Sequence, residues 1–136
     1  MKRMLSLTLA VALLFALVIP VGAAEADSGI SPRFTYISTV STHLTISNTG
    51  VSTSTATGYA TGVSSVKLVC RLQQYKDGGW KTIYVWTNKG TNMASVAQQW
   101  AVHSGYKYRT YTSFYVYNAA GTLLETATCY SSQVTY

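Results

Sequence analysis

The sequence predicts an all-β fold, with seven strands packed as a two-layer antiparallel sandwich. Three observations predict it. Beyond residue 26 the chain is rich in Ser, Thr, Tyr and Val and has no Ala-Leu-Glu-Lys run, and β-branched and aromatic side chains suit a pleated, half-buried surface. Turn signals recur at regular intervals: "SNTG" at 47–50, "ATG" at 60–62, "KDGG" at 76–79, "NKGTN" at 88–92, "HSG" at 103–105 and "NAAG" at 118–121. Between them apolar and polar residues alternate with period two, the repeat of a strand that buries one face. No helical periodicity and no internal repeat is present in this part of the chain.

In the first segment Phe34, Tyr36, Val40, Leu44 and Ile46 share one face, and Thr35, Ile37, Thr39, Ser41 and Thr45 share the other. The second, "VSTSTATGYAT", has only Ala56, Gly58 and Ala60 to turn inward, which fits two sheets in close approach. In the third, Val66, Leu68, Cys70 and Leu72 alternate with Lys67, Val69, Arg71 and Gln73. A hairpin follows, because Asp77-Gly78 supplies residues that tolerate positive φ. The fourth segment, "WKTIYVWT", is apolar on both faces, with Trp80 partly exposed after its turn and Trp86 packed inward. In the fifth, Val96, Trp100 and Val102 share a face; the seventh runs from Leu123 to Tyr136.

The sixth segment contains "YRTYTSFYVY", and it divides by parity. Tyr108, Thr110, Thr112, Phe114 and Val116 form a core face, leaving Arg109, Tyr111, Ser113, Tyr115 and Tyr117 outside. The preceding "VHSGYKY", Val102 to Tyr108, resembles the fibronectin type III pattern Leu-x-Pro-Gly-x-x-Tyr, with Val102, Ser104, Gly105 and Tyr108 in the places of Leu, Pro, Gly and Tyr. "NAAG" is similarly placed to the last hairpin of that fold. The resemblance implies an immunoglobulin- or fibronectin type III-like sandwich, in which the last Tyr bonds back to backbone. A second resemblance rests on "SPRFTYI" (Ser31 to Ile37), "GWKTIYVW" (Gly79 to Trp86), "SGYKYR" (Ser104 to Arg109) and the final "VTY" (Val134 to Tyr136). On these motifs the chain is similar to a family of small secreted proteins from Gram-positive bacteria whose function is uncharacterised. That likeness implies export and a fold, and carries no catalytic residue.

Residues 1–26 read as a secretory signal peptide: a basic head "MKRM", an apolar run from Leu5 to Ile19, and a small-residue tail. Cleavage fits after Ala23 or after Ala26. An uncleaved anchor is the competing reading, but Pro20-Val21-Gly22 breaks a run already short for a span. Residues 27–136 then form a single extracellular domain with no stable membrane span. The formal charge of +6 includes Lys2 and Arg3, which leave with the signal. The remaining cations are scattered, with no run of like charge, which argues against a nucleic-acid partner.

The chemistry is sparse. His43 and His103 lack a third ligand at metal spacing, so neither a metal nor any other cofactor is expected. Asp77 and Glu125 are the only carboxylate pair that could serve glycoside cleavage, and nothing in the sequence brings them together. No G-x-S-x-G and no phosphate-cradling Gly loop is present, so no catalytic residue is expected. Cys70 and Cys129 point two ways. An exported chain with two cysteines ordinarily bonds them. In a fibronectin-like sheet, however, they flank the sixth strand about 10 Å apart, beyond disulfide reach. Parity disagrees as well, setting Cys129 with Glu125 and Gln133 and Cys70 with Val66 and Leu68.

What remains is an aromatic and basic outer face: Arg71 and Tyr75 on the third strand, Arg109, Tyr111, Tyr115 and Tyr117 on the sixth. Exposed Tyr can anchor a sugar or protein at low entropic cost, and Arg adds planar hydrogen bonding. The competing reading is that Tyr is simply a good strand former. The expected function is a non-catalytic binding module for a cell-surface polysaccharide or protein. The alternative is a cationic, bacteriocin-like effector of bacterial envelopes, against which stands the lack of any cationic amphipathic helix.

Overall fold

A computed structural model describes residues 33–136; the expected signal segment and both cleavage positions lie outside the described residues. Eight strands follow one another: β1 (Ile37–Ile46), β2 (Val51–Ala60), β3 (Ser65–Lys76), β4 (Gly79–Gly90), β5 (Met93–Ala101), β6 (Lys107–Tyr117), β7 (Leu123–Tyr130) and β8 (Val134–Thr135). They form two antiparallel sheets, ordered β1-β2-β5 and β4-β3-β6-β7, with β8 also pairing β6. This is the expected immunoglobulin/fibronectin type III-like sandwich with one strand more. The seventh segment divides where Ser131 turns inward. Its N–H donates to the Thr110 carbonyl at 2.9 Å, and its Oγ accepts from the Thr110 N–H at 2.8 Å. The chain then rejoins β6 as β8.

Alternation builds the core as expected on β3 and β6. Val66, Leu68, Cys70 and Leu72 face inward, opposite Tyr108, Thr110, Thr112, Phe114 and Val116, and none is more than marginally accessible. Each large apolar side chain so buried contributes roughly 1.5–3 kcal/mol of transfer free energy. From the other sheet Ile37, Ala56, Ala60, Ala94 and Val96 complete the main cluster. The sheets approach closely at β2, where a Cβ on Gly58 would lie 2.5 Å from the Phe114 ring. The small residues of β2 therefore make room for the ring from β6.

A second cluster of Leu44, Leu72 and Tyr108 lies toward the other end. Buried hydroxyls lie on the facing strands: Thr42, Ser52, Ser54, Thr110 and Thr112. Two hydrogen bonds join the sheets through them, Thr112 to Thr42 at 3.1 Å and Thr110 to Ser54 at 3.3 Å. Among the described residues no buried side-chain polar atom lacks a partner, which removes the main penalty of a polar interior.

Tyr108 closes the corner that the resemblance implied. Its hydroxyl donates to the His103 carbonyl at 2.6 Å and accepts from Gln74 Nε2 at 3.0 Å. The hairpin between β3 and β4 also follows expectation: Asp77 and Gly78 both have positive φ, at 53° and 78°, as a two-residue type I′ turn requires.

Several expectations need correction, and irregular pairing accounts for much of it. A register shift between Ile37 and Thr39 adds one residue to β1 and turns Ile37 into the core, although parity sets it with Thr39. Phe34 precedes the strand and stays 39% exposed. β4 is an edge strand with a shift opposite Leu72/Gln73; above it Tyr84 and Trp86 reach toward the core, and below it Trp80 turns outward. Trp100 shares a face with Val96 yet is 41% exposed, because it lies at the open side of the sandwich and packs on Tyr84, ring centroids 4.0 Å apart.

Candidate functional site

Register sets the six expected site residues on one outer face of the larger sheet. Arg71 on β3 pairs with Tyr111 on β6, Gln73 with Arg109, Tyr75 with Lys107, Lys67 with Tyr115 and Ser65 with Tyr117. From the flanking strands Tyr130 of β7 pairs with Tyr111, and Trp80 of β4 with Tyr75. Tyr130 and Trp80 were not among the expected site residues. Both are brought in by long-range register, and the only signal for Tyr130 is its distance from the "NAAG" turn.

The side chains interleave. The Arg109 guanidinium lies 4.2 Å from the Trp80 ring centroid and 4.3 Å from that of Tyr130. Its Nε donates to Gln73 Oε1 at 2.8 Å. Tyr130 stacks on Tyr111 at 4.7 Å with 17° between planes. Arg71 lies 5.2 Å from the Tyr111 centroid and donates to Ser113 Oγ at 3.0 Å. The result is a ladder, Trp80–Arg109–Tyr130–Tyr111–Arg71, that crosses all four long strands. Cation–π contacts of this kind contribute roughly 0.5–1 kcal/mol each at exposed sites, so their first effect is to hold the side chains in place.

Tyr115 lies farther along, with Lys67 Nζ 5.0 Å from its ring. Ser113 first, then Arg71 and Lys67, draw its phenol below the ordinary tyrosine value. Tyr75 makes an edge contact with Trp80 at 5.3 Å. Tyr117 stands at the far end of β6, opposite Ser65 and Leu123, and is not part of the ladder. The structure thus joins Arg71 to Tyr111 directly and links Arg109 to them through Tyr130, sets Tyr75 and Tyr115 at the two ends, and leaves Tyr117 apart.

No carboxylate neutralises this face among the described residues. Asp77 pairs with Lys81 at 3.5 Å in the β3–β4 turn. Glu125 is used structurally: its two oxygens accept the backbone N–H groups of Thr35, Tyr36 and Ile37 at 2.6, 3.0 and 3.0 Å. Burial pushes the Glu125 carboxyl up, but those three donors outweigh it and the net shift is downward. Asp77 follows β3, and Glu125 pairs with Val116, itself opposite Val66 at the start of β3. About ten strand residues at ~3.3 Å each put the two carboxylates roughly 30 Å apart, far beyond any shared reaction.

Cys70 and Cys129 are both unbonded. Cys70 pairs with Thr112, and Thr112 with Cys129, so the thiols flank β6 as the geometric reading required. The parity conflict disappears, because the Glu125 side of β7 faces inward. Burial pushes the Cys70 thiol up to about 11 and raises that of Cys129 as well, the opposite of an activated nucleophile. An open cleft of about 460 Å³ lies between β4 and β5, lined by groups that include Tyr84, Trp86, Asn88 and Gln98. None of its lining residues is a carboxylate, histidine or cysteine. His43 and His103 are both exposed, and no group of three metal-ligating side chains occurs among the described residues.

No protein-family model matches the chain, and neither a curated protein nor a solved structure matches it.

Proposed function

We propose that the protein is an exported, non-catalytic binding module that uses the outer face of its larger sheet to hold a cell-surface polysaccharide or protein. The observation that carries this reading is the Arg109 guanidinium held between Trp80 and Tyr130 at 4.2 and 4.3 Å. A sheet that needed Tyr only for strand propensity would not require these rings to converge on one cation from β4 and β7. Side chains fixed before contact lose little rotamer entropy on binding, which is how a flat surface reaches useful affinity. Export is supported by the basic, apolar and small-residue pattern of residues 1–26 and by the likeness to small secreted Gram-positive proteins.

The test is retention of the purified protein on immobilised bacterial wall polysaccharide, host glycans and surface proteins. A variant with Tyr111, Tyr115 and Tyr130 changed to Ser is compared with wild type after both are shown to be folded. Binding by wild type that the triple variant loses supports the reading. Equal retention of the two sinks it.

A further inference from the structure

Resting on the reading of this face as a binding surface, we infer that its ligand is an acidic polysaccharide, whose anionic group is received by Arg109 and whose ring hydroxyls are received by the polar edges around it. The inference comes from which groups the ladder has already used. Trp80 and Tyr130 have the Arg109 guanidinium over their rings, and Tyr130 and Tyr111 cover each other. Little flat aromatic surface is left for a planar ligand. What the ladder leaves uncommitted is edges: the phenol hydroxyls of Tyr111 and Tyr130 and the terminal N–H groups of Arg109, since Gln73 already accepts from Arg109 and donates to Thr82.

Arg109 is the best prepared of these. Stacking fixes its plane and Gln73 takes its Nε–H at 2.8 Å, while its two terminal nitrogens have no acceptor among the described residues. A guanidinium so pinned presents a two-pronged donor of fixed direction, the geometry that matches a carboxylate or other oxyanion. Arg71 follows diagonally and Lys67 lies farther along β3, so positive charge runs with the strands rather than at a point. No ion pair with any of these three occurs among the described residues. A linear polymer with recurring anionic groups fits such a row, and a hydroxyl-rich one fits the edges between the charges.

A single-stranded nucleic acid is the other polymer that offers repeated charge, but it recognises such sheets by stacking bases on open aromatic faces. Here those faces are occupied, and the cations are too few and scattered for a phosphate track.

The experiment measures binding of the purified protein to four probes: polygalacturonate (charge and hydroxylated rings), pullulan (rings without charge), inorganic polyphosphate (charge without rings) and oligo-dT. Polygalacturonate is expected to bind at least about tenfold more tightly than the other three, and more weakly as NaCl rises from ~0.05 to ~0.5 M. Arg109→Lys, which keeps the charge but loses the planar fork, is expected to weaken it about tenfold. Arg33→Lys, the same substitution ahead of β1 and away from the ladder, is expected to leave it unaltered. Equal affinity for pullulan overturns the anion requirement while leaving the binding module intact. Equal affinity for polyphosphate or oligo-dT replaces the sugar with simple charge or bases. Binding of none of the four overturns the inference, and the binding reading itself then falls only if wall and host surfaces also fail to retain the protein.

Discussion

Removing the hydroxyl of Tyr108 isolates the corner that fixes where β6 begins. Tyr108 is wholly buried, with its ring in the cluster of Leu44 and Leu72. Phe in its place keeps that packing, so the transfer free energy of the ring is unchanged. Two hydrogen bonds are lost, one to the His103 carbonyl at 2.6 Å and one from Gln74 at 3.0 Å. Each has a net worth of about 0.5–1.5 kcal/mol. His103 is exposed and Gln74 half-buried, so both partners can turn to water, and the loss stays below the limit for a sealed, unsatisfied group. The expected destabilisation is about 2 kcal/mol in urea unfolding with an unchanged slope. For a domain of this size it corresponds to a drop in Tm of about 9 °C. Tyr111→Phe, whose hydroxyl faces outward, serves as the matched control and is expected to shift stability by less than about 0.5 kcal/mol. A Tyr108→Phe protein as stable as this control would refute the corner as a stabilising element.

Three further outcomes follow from the same geometry. Gly58→Ala drives a methyl into the Phe114 ring at 2.5 Å, and overpacking of this kind is expected to destabilise by about 1–3 kcal/mol in urea unfolding. The Glu125 carboxyl is held below its ordinary 4.5 in the folded chain. Its stabilising contribution is therefore complete above that value and disappears as pH falls through the lowered native one. Glu125→Gln should be less stable than wild type at neutral pH, and the two unfolding curves should converge in acid. Cys70 and Cys129 are expected to resist a thiol reagent at pH 8 while the chain is folded and to react once it is denatured. The non-reduced intact mass should be that of the dithiol; a chain two hydrogens lighter would contradict the pairing geometry.

Much of the sandwich was legible because β3 and β6 alternate without interruption, so parity alone placed Leu68, Leu72, Phe114 and Val116 inside. Asp77-Gly78 was legible because positive φ selects its residues. What could not be read were the register shifts at Ile37/Thr39, Leu72/Gln73 and Val116/Tyr117. One inserted residue leaves composition untouched but reverses every side chain beyond it. Ile37 was misplaced for that reason. The site suffered differently: Arg71, Arg109 and Tyr111 lie on the two strands whose pairing could be guessed. Trp80 and Tyr130 reach the same guanidinium from outer strands, and their convergence depends on rotamers that no period reveals. The role of Glu125 was equally hidden, since its partners are backbone N–H groups some 90 residues earlier.

The central claim is that the acid-free outer face of β3, β6 and β7 is a fixed receptor surface. The most direct measurement is an NMR titration of the isotope-labelled protein with polygalacturonate oligomers, following the Arg109 Nε–H, the Trp80 indole N–H and the backbone amides. The account predicts saturable shifts centred on Arg109, Trp80, Tyr111 and Tyr130, with β1, β2 and β5 unmoved. Shifts confined to the cleft between β4 and β5, or none while another surface polymer binds elsewhere, would contradict it.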